Sequence, residues 1–206
     1  TVADLAEDHW RLTQELELDL DRFAIVGLSV GGMWGARVAL DHPEAVEALV
    51  LMDTHVGPEP QASHDRFFQM LAGVEQAGRM PPPIIEAAAP FFFAALSIEQ
   101  QLEVVQEVKD SLAAVPAEQI PSIVALGRGI FSRASVLERL SEITCPTLII
   151  VGEEDRSRPP HEAREMAAMI PHARVEIVPR AGHISTLERP EKTTNLIRDF
   201  LAEAVK

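Results

Sequence analysis

Residues 23–32 read FAIVGLSVGG, a short apolar run followed by a serine, Ser29, with Gly27 and Gly31 two positions away on either side. A serine hydroxyl held out on a tight turn can attack a carbonyl carbon. It is a weak nucleophile alone and needs a base, ordinarily a histidine oriented by a carboxylate. Glycine on both flanks leaves room for the chain to double back. The same residues also fit an ordinary glycine-rich turn with a capping serine, so the rest of the chain has to supply the partners. Phosphate-binding loops fit less well: no Gly-Lys-Ser/Thr follows, and the G-x-G-x-x-G pattern is absent from this stretch.

Seven histidines are available as the base. His183 stands in PRAGHIST, after a predicted strand at 174–178 and before the last predicted helix. That places it in a loop at the carboxyl end of a strand, where open α/β sheets keep their sites. His9 falls on the apolar stripe of the first helix, His42 precedes Pro43, and His64, His161 and His172 read as solvated. His55 follows Asp53 closely enough to reach a pocket rim. For the acid, IIVGEEDRSRPP offers Asp155 in a Gly-x-x-Asp turn just after a predicted strand at 147–151, and Asp53 is the competitor. Either carboxylate also suits plain turn capping. With Asp155 chosen, the chain order is serine, aspartate, histidine. Val30, first in the helix after the turn, would turn its amide and the positive end of the helix dipole toward an oxyanion.

The elements that must position these residues fall in three zones. Residues 1–56 read helix, strand (23–26), helix, strand (48–52), a βαβ unit whose crossover should be right-handed. Residues 57–141 hold no convincing strand; helical faces such as Phe67, Phe68, Leu71 and Val74 alternate with prolines, which suits a helical lid or cap. Residues 142–206 return to alternation, with strands at 147–151 and 174–178 and helices at 161–170 and 190–204. Ser185 and Glu188 stand at capping-box spacing before the last helix. The expected fold class is α/β: a mainly parallel sheet with flanking helices and an inserted helical lid. Met33 and Trp34 after the turn, and Phe67 and Phe131 in the lid, are the candidate substrate contacts. Met70, Phe91, Phe92 and Phe93 could share the lid's inner face, or simply hold its helices together. Arg128, Arg133, Arg156 or Arg158 could meet a substrate carboxylate, although surface arginines are the plainer reading of each.

Bulk properties narrow the function classes. The 206 residues are 47% hydrophobic and 24% charged, an ordinary globular balance, and the formal net charge is −14. So acidic a chain, without a basic patch, repels nucleic acid. Cys145 is the only cysteine, which excludes an intrachain disulfide and a cysteine-rich metal site and suits a reducing cytoplasm. No apolar run approaches the ~18 residues of a membrane span. The first residues are acidic and amphipathic, unlike a signal peptide. Neither a metal nor an organic cofactor is called for.

GLSVGG, CPTLIIVGEEDRSRPP and AGHISTLERP together resemble the α/β-hydrolase superfamily. Among its subgroups the chain looks closest to the 3-oxoadipate enol-lactonase and cofactor-free haloperoxidase-like enzymes. The resemblance covers the opening helix, 23–53 and 144–203, and fits the lid by position. It implies a serine hydrolase with Ser29, Asp155 and His183 as catalytic residues, acting on a small-molecule ester or lactone without a cofactor. It also implies several strands before the opening helix and a His-Gly loop that donates a second oxyanion amide. This sequence has no His-Gly pair and starts at that helix, so the expectation is a fragment lacking the N-terminal strands. The strand at 23–26 would then be an exposed edge, inviting a homo-oligomer or a swapped dimer. The alternative is a non-catalytic ligand- or partner-binding module on the same fold.

Overall fold

Apolar runs of five to seven residues are too short for amphipathic helices and suit strands covered on both faces. In the computed structural model, which describes residues 1–16, 22–100 and 102–205, such runs form three of the four strands, and the fourth, RVEIV, carries two charged residues at the sheet's far edge. Its strands are β1 (Phe23–Leu28), β2 (Val46–Met52), β3 (Thr147–Gly152) and β4 (Arg174–Val178). All pair in parallel, in the order β1-β2-β3-β4. The period of two along β2 divides the core. Leu49 and Leu51 pack on one face with Ile149, Val151 and Ala36, while Ala48, Val50 and Met52 pack on the other with Leu148, Ile150 and Phe200.

Helices cover both faces. α1 (Val2–Glu15) opens on a capping box between Thr1 and Asp4. α2 (Val30–Asp41) joins β1 to β2. Between β2 and β3 the described chain is helical: α3 (Gln61–Ala77), α4 (Pro82–Phe92), α5 (Ala95–Gln100), α6 (Leu102–Ala113) and α7 (Ile120–Phe131), with short 3-10 turns at Ala117–Gln119 and Leu137–Glu142. Prolines in the first turns of α4 and α7 suit positions whose amides have no intrahelical partner. This insertion has a small core of its own, built on Val74, Ile120 and Val124. α8 (Pro160–Met169) joins β3 to β4, and α9 (Ser185–Glu188) and α10 (Pro190–Ala204) close the chain. Among the described residues no helix is long and apolar enough to cross a membrane.

The strand expected at 174–178 and the helix at 190–204 have those bounds. The strand expected at 23–26 runs on to Leu28, the one at 48–52 begins at Val46, and the one at 147–151 ends at Gly152. The capping box expected of Ser185 and Glu188 does not form. Both side chains are buried and turned to distant partners, and α10 starts separately with Pro190 in its first turn. β1 lies at the sheet's edge, where Val26 is exposed beside a groove that Leu12 and Leu16 also line.

Candidate active site

β1 ends in a sharp turn at Ser29, whose φ of 53° lies in the left-handed region that side chains normally avoid. The turn is held from the neighbouring strand. Ser29 N–H donates to the Met52 carbonyl at 2.8 Å, and the Thr54 hydroxyl donates to the Ser29 carbonyl at 2.6 Å. Glycine is required where the chain doubles back. A Cβ on Gly27 would lie 2.3 Å from the Gly31 carbonyl oxygen, and one on Gly32 would lie 2.5 Å from the Thr54 methyl. Gly31 differs from the sequence expectation, because a Cβ there meets nothing nearer than 3.9 Å. Val30 opens α2, so its amide has no acceptor within the helix.

The three predicted reactive side chains meet at the carboxyl ends of the strands. His183 Nε2 lies 2.9 Å from Ser29 Oγ, and His183 Nδ1 lies 2.9 Å from Asp155 Oδ2. His183 and Asp155 are buried, at 7% and 3% exposure. The other oxygen of Asp155 accepts from the amides of Ser157 and Arg158, each at 2.8 Å. One carboxylate thus caps its own turn and holds the imidazole.

Asp53, the competing acid, does not hydrogen-bond the imidazole. It is fully buried at the end of β2 with a φ of 46°, and it ties two loops together. The Gly152 amide donates to its Oδ1 at 2.8 Å and the Ser185 hydroxyl to its Oδ2 at 2.6 Å. Burial, first of all, and the nearby Asp155 charge push its pKa up to about 7. Glu188 performs a similar task, accepting from the Gly182 amide at 2.6 Å and the Ala94 amide at 2.9 Å. The end of α4 is fastened to both loops as well. Ile184 N–H donates to the Phe92 carbonyl at 3.0 Å, and the Ser157 hydroxyl donates to the Phe91 carbonyl at 2.9 Å. Sequence spacing offered no signal for these ties, since their partners lie far apart along the chain.

A cavity of about 280 Å³ opens beside Ser29 and His183. Met33, Phe67 and Phe131 line it, together with Met70, Phe91 and Phe92. Phe93 is instead buried and absent from that wall. Trp34 is a correction: it turns away from the cavity and stacks on His9, with ring centroids 4.1 Å apart, beneath the β1 edge. Arg133 and Arg158 are likewise not surface residues. Both guanidiniums are buried and share the Glu59 carboxylate, Arg133 at 2.8 Å. Arg128 pairs with Glu75 on the outside, and Arg156 lies over the Phe91 ring at 5.7 Å. His55 is buried away from the cavity wall, with Nε2 3.0 Å from Glu165, and burial holds its pKa down. Burial also raises the Glu162 carboxyl beside Arg158. Among the described residues no group of three or more His, Cys, Asp or Glu side chains is placed to hold a metal ion.

Known proteins share this arrangement of elements. A RutD protein of Klebsiella pneumoniae subsp. pneumoniae, named as a candidate carbamate hydrolase, is 31% identical over 185 residues, which are 88% of this chain and 66% of its own. A thermophilic esterase from Thermogutta terrifontis, solved with malate bound, aligns over 100% of this chain and 74% of its own, with a TM-score of 0.88 and 27% identity. The enol-lactonase of Burkholderia xenovorans LB400 aligns over 98% of this chain and 73% of its own, with a TM-score of 0.84 and 25% identity. The chain thus spans slightly under two thirds of the RutD protein's length. The family model described as alpha/beta hydrolase fold matches residues 1–190. With that match and the parallel sheet bearing Ser29 at the end of β1, the chain belongs to the alpha/beta hydrolase fold family.

Proposed function

We propose that the protein is a serine hydrolase that cleaves a small-molecule carboxylic ester or lactone through an acyl-enzyme. The observation that carries this reading is the unbroken line from Ser29 Oγ through His183 to Asp155, both contacts 2.9 Å, with the serine held in a strained backbone conformation. His183 Nδ1–H donates to Asp155, which leaves Nε2 free to accept the serine proton. As Oγ bonds to the substrate carbonyl carbon, that proton passes to Nε2 and the carbonyl oxygen becomes an oxyanion facing the Val30 amide. Collapse of this intermediate breaks the carbon–oxygen bond of the ester, and the leaving oxygen takes the proton from Nε2. A water molecule then gives a proton to Nε2 and attacks the acyl-enzyme, and Ser29 recovers its proton as the acid product departs.

In this reading residues 1–56 and 142–206 make up the hydrolase core, and 57–141 act as a lid that walls the substrate from water. The esterase and enol-lactonase structures support the choice of ester or lactone. Fluorophosphonate labelling with intact-mass and peptide mapping tests it. Stoichiometric modification of Ser29, absent in Ser29→Ala and His183→Ala, is the expected result. A folded chain that takes up no label would overturn the reading in favour of a binding module without turnover.

A further inference from the structure

The composition of the cavity wall bears on which esters the site takes. Of the described residues that line it, only Ser29, Ser157, Arg158 and His183 are polar. Ser29 and His183 are the proposed reacting groups. The Ser157 hydroxyl is committed to the Phe91 carbonyl at 2.9 Å. Arg158 is the one cation among the described residues of the wall, and it lies between two carboxylates. Its Nη2 donates to Glu59, and its Nη1, buried without a hydrogen-bond partner, lies 3.6 Å from Glu162. Arg133 presses on Glu59 from the other side. The cavity therefore presents little positive charge to an incoming carboxylate. A carboxylate drawn into the apolar wall would also lose its hydration, because the one unpartnered donor on a described wall residue, Arg158 Nη1, is itself sealed from the open space.

The rest of the wall is hydrocarbon and aromatic ring, contributed mainly by α3, α4 and α7. Phe67 stacks on Phe131 with centroids 4.1 Å apart and meets Phe91 edge-on at 5.8 Å. These contacts give the wall a fixed shape rather than a set of loose side chains. At roughly 30 Å³ per water-sized group, 280 Å³ holds about nine non-hydrogen atoms. Once the three non-hydrogen atoms of the ester group itself are seated, a hydrocarbon portion of about six carbons remains.

Resting on the serine-hydrolase reading, we infer that the substrate is a neutral ester or lactone carrying a medium-length hydrocarbon group in this cavity, and that esters with a free carboxylate on that group are rejected. The binding part is tested without turnover, by calorimetric titration of Ser29→Ala with two ester series. One lengthens the acyl side of p-nitrophenyl esters from acetate to octanoate, and the other lengthens the alkyl side of acetate esters. In at least one series Kd should fall about fourfold per added methylene until the cavity is full. A half-ester of equal length ending in a carboxylate should bind at least tenfold more weakly. Ala88→Phe, which projects a ring into the cavity, should move the optimum to a shorter chain. Chain-length-independent affinity in both series, or tighter binding of the carboxylate ester, would overturn the inference; Ser29 labelling in that case leaves the hydrolase reading standing. The expected length dependence without labelling of the unsubstituted protein would instead uphold the apolar ligand and overturn turnover.

Discussion

Asp53 and Ser185, 132 positions apart, are joined by a 2.6 Å hydrogen bond in which the serine hydroxyl donates to a fully buried carboxyl. Ser185 lies two residues after His183, and the other oxygen of Asp53 holds Gly152, three residues before Asp155. One side chain at the end of β2 thus fixes the loops that carry both partners of Ser29. The length of that linkage explains why Asp53 need not touch the imidazole to matter.

Asp53→Asn should become more stable relative to the unsubstituted protein as pH rises. The Asp53 pKa is raised from 3.8 to about 7 by burial, so the folded state keeps a proton that the unfolded chain gives up. The stability this group contributes is full below its unfolded pKa and is lost as pH climbs through the folded value, across the window from 3.8 to about 7. Asparagine presents the same shape without the charge and tolerates a positive φ. Urea denaturation at pH 5 and pH 8 measures the difference, and a gap that does not widen with pH would refute it.

Asp155→Asn should leave the fold intact and lower kcat by about 10³–10⁴. An amide facing His183 Nδ1 at 2.9 Å favours the tautomer in which Nε2 carries the hydrogen and cannot take the serine proton. Stopped-flow acylation with an activated ester reads the loss. A fall of less than tenfold would show that another group orients His183.

Gly27→Ala and Gly31→Ala should part company although both glycines flank Ser29 symmetrically in sequence. At Gly27 the new methyl meets backbone at 2.3 Å, a clash expected to cost about 3 kcal/mol or more. At Gly31 the nearest atom is 3.9 Å away and the position is helical, so alanine should change stability by no more than about 1 kcal/mol. Chemical denaturation of the two variants side by side decides the matter.

Glu59→Gln should destabilise the protein by about 3–5 kcal/mol. The Glu59 carboxylate is shared by two buried guanidiniums, Arg133 and Arg158, and a neutral amide in its place removes their common anion. Thermal unfolding at moderate salt checks it; because the cluster is buried, added salt should not restore the loss.

The strands and the three residues of the proposed site were legible because each is announced locally. An apolar run marks a strand, and the turn at its carboxyl end holds the candidate side chain, so Ser29, Asp155 and His183, which the fold brings together, could be picked out one at a time. Trp34 was misplaced because adjacent helical residues point about 100° apart. Met33 faces the cavity, and its neighbour necessarily faces His9 on α1. Ser185 and Glu188 matched a capping box by spacing, but spacing records nothing of Asp53 or Ala94, whose buried groups compete for the same side chains. Arg133 and Arg158 read as surface charges because their common anion, Glu59, is 74 and 99 positions distant.

The fastening of α4 carries a mechanical consequence. The carbonyls of Phe91 and Phe92 and the amide of Ala94 are bound to Ser157, Ile184 and Glu188, on the same loops that hold Asp155 and His183. Lifting this end of the helix from the sheet would therefore pull on Asp155 and His183 as it widened the cavity. Here the latch of the chamber and the alignment of its tools are one piece: a door swung open at α4 leaves the workshop unassembled.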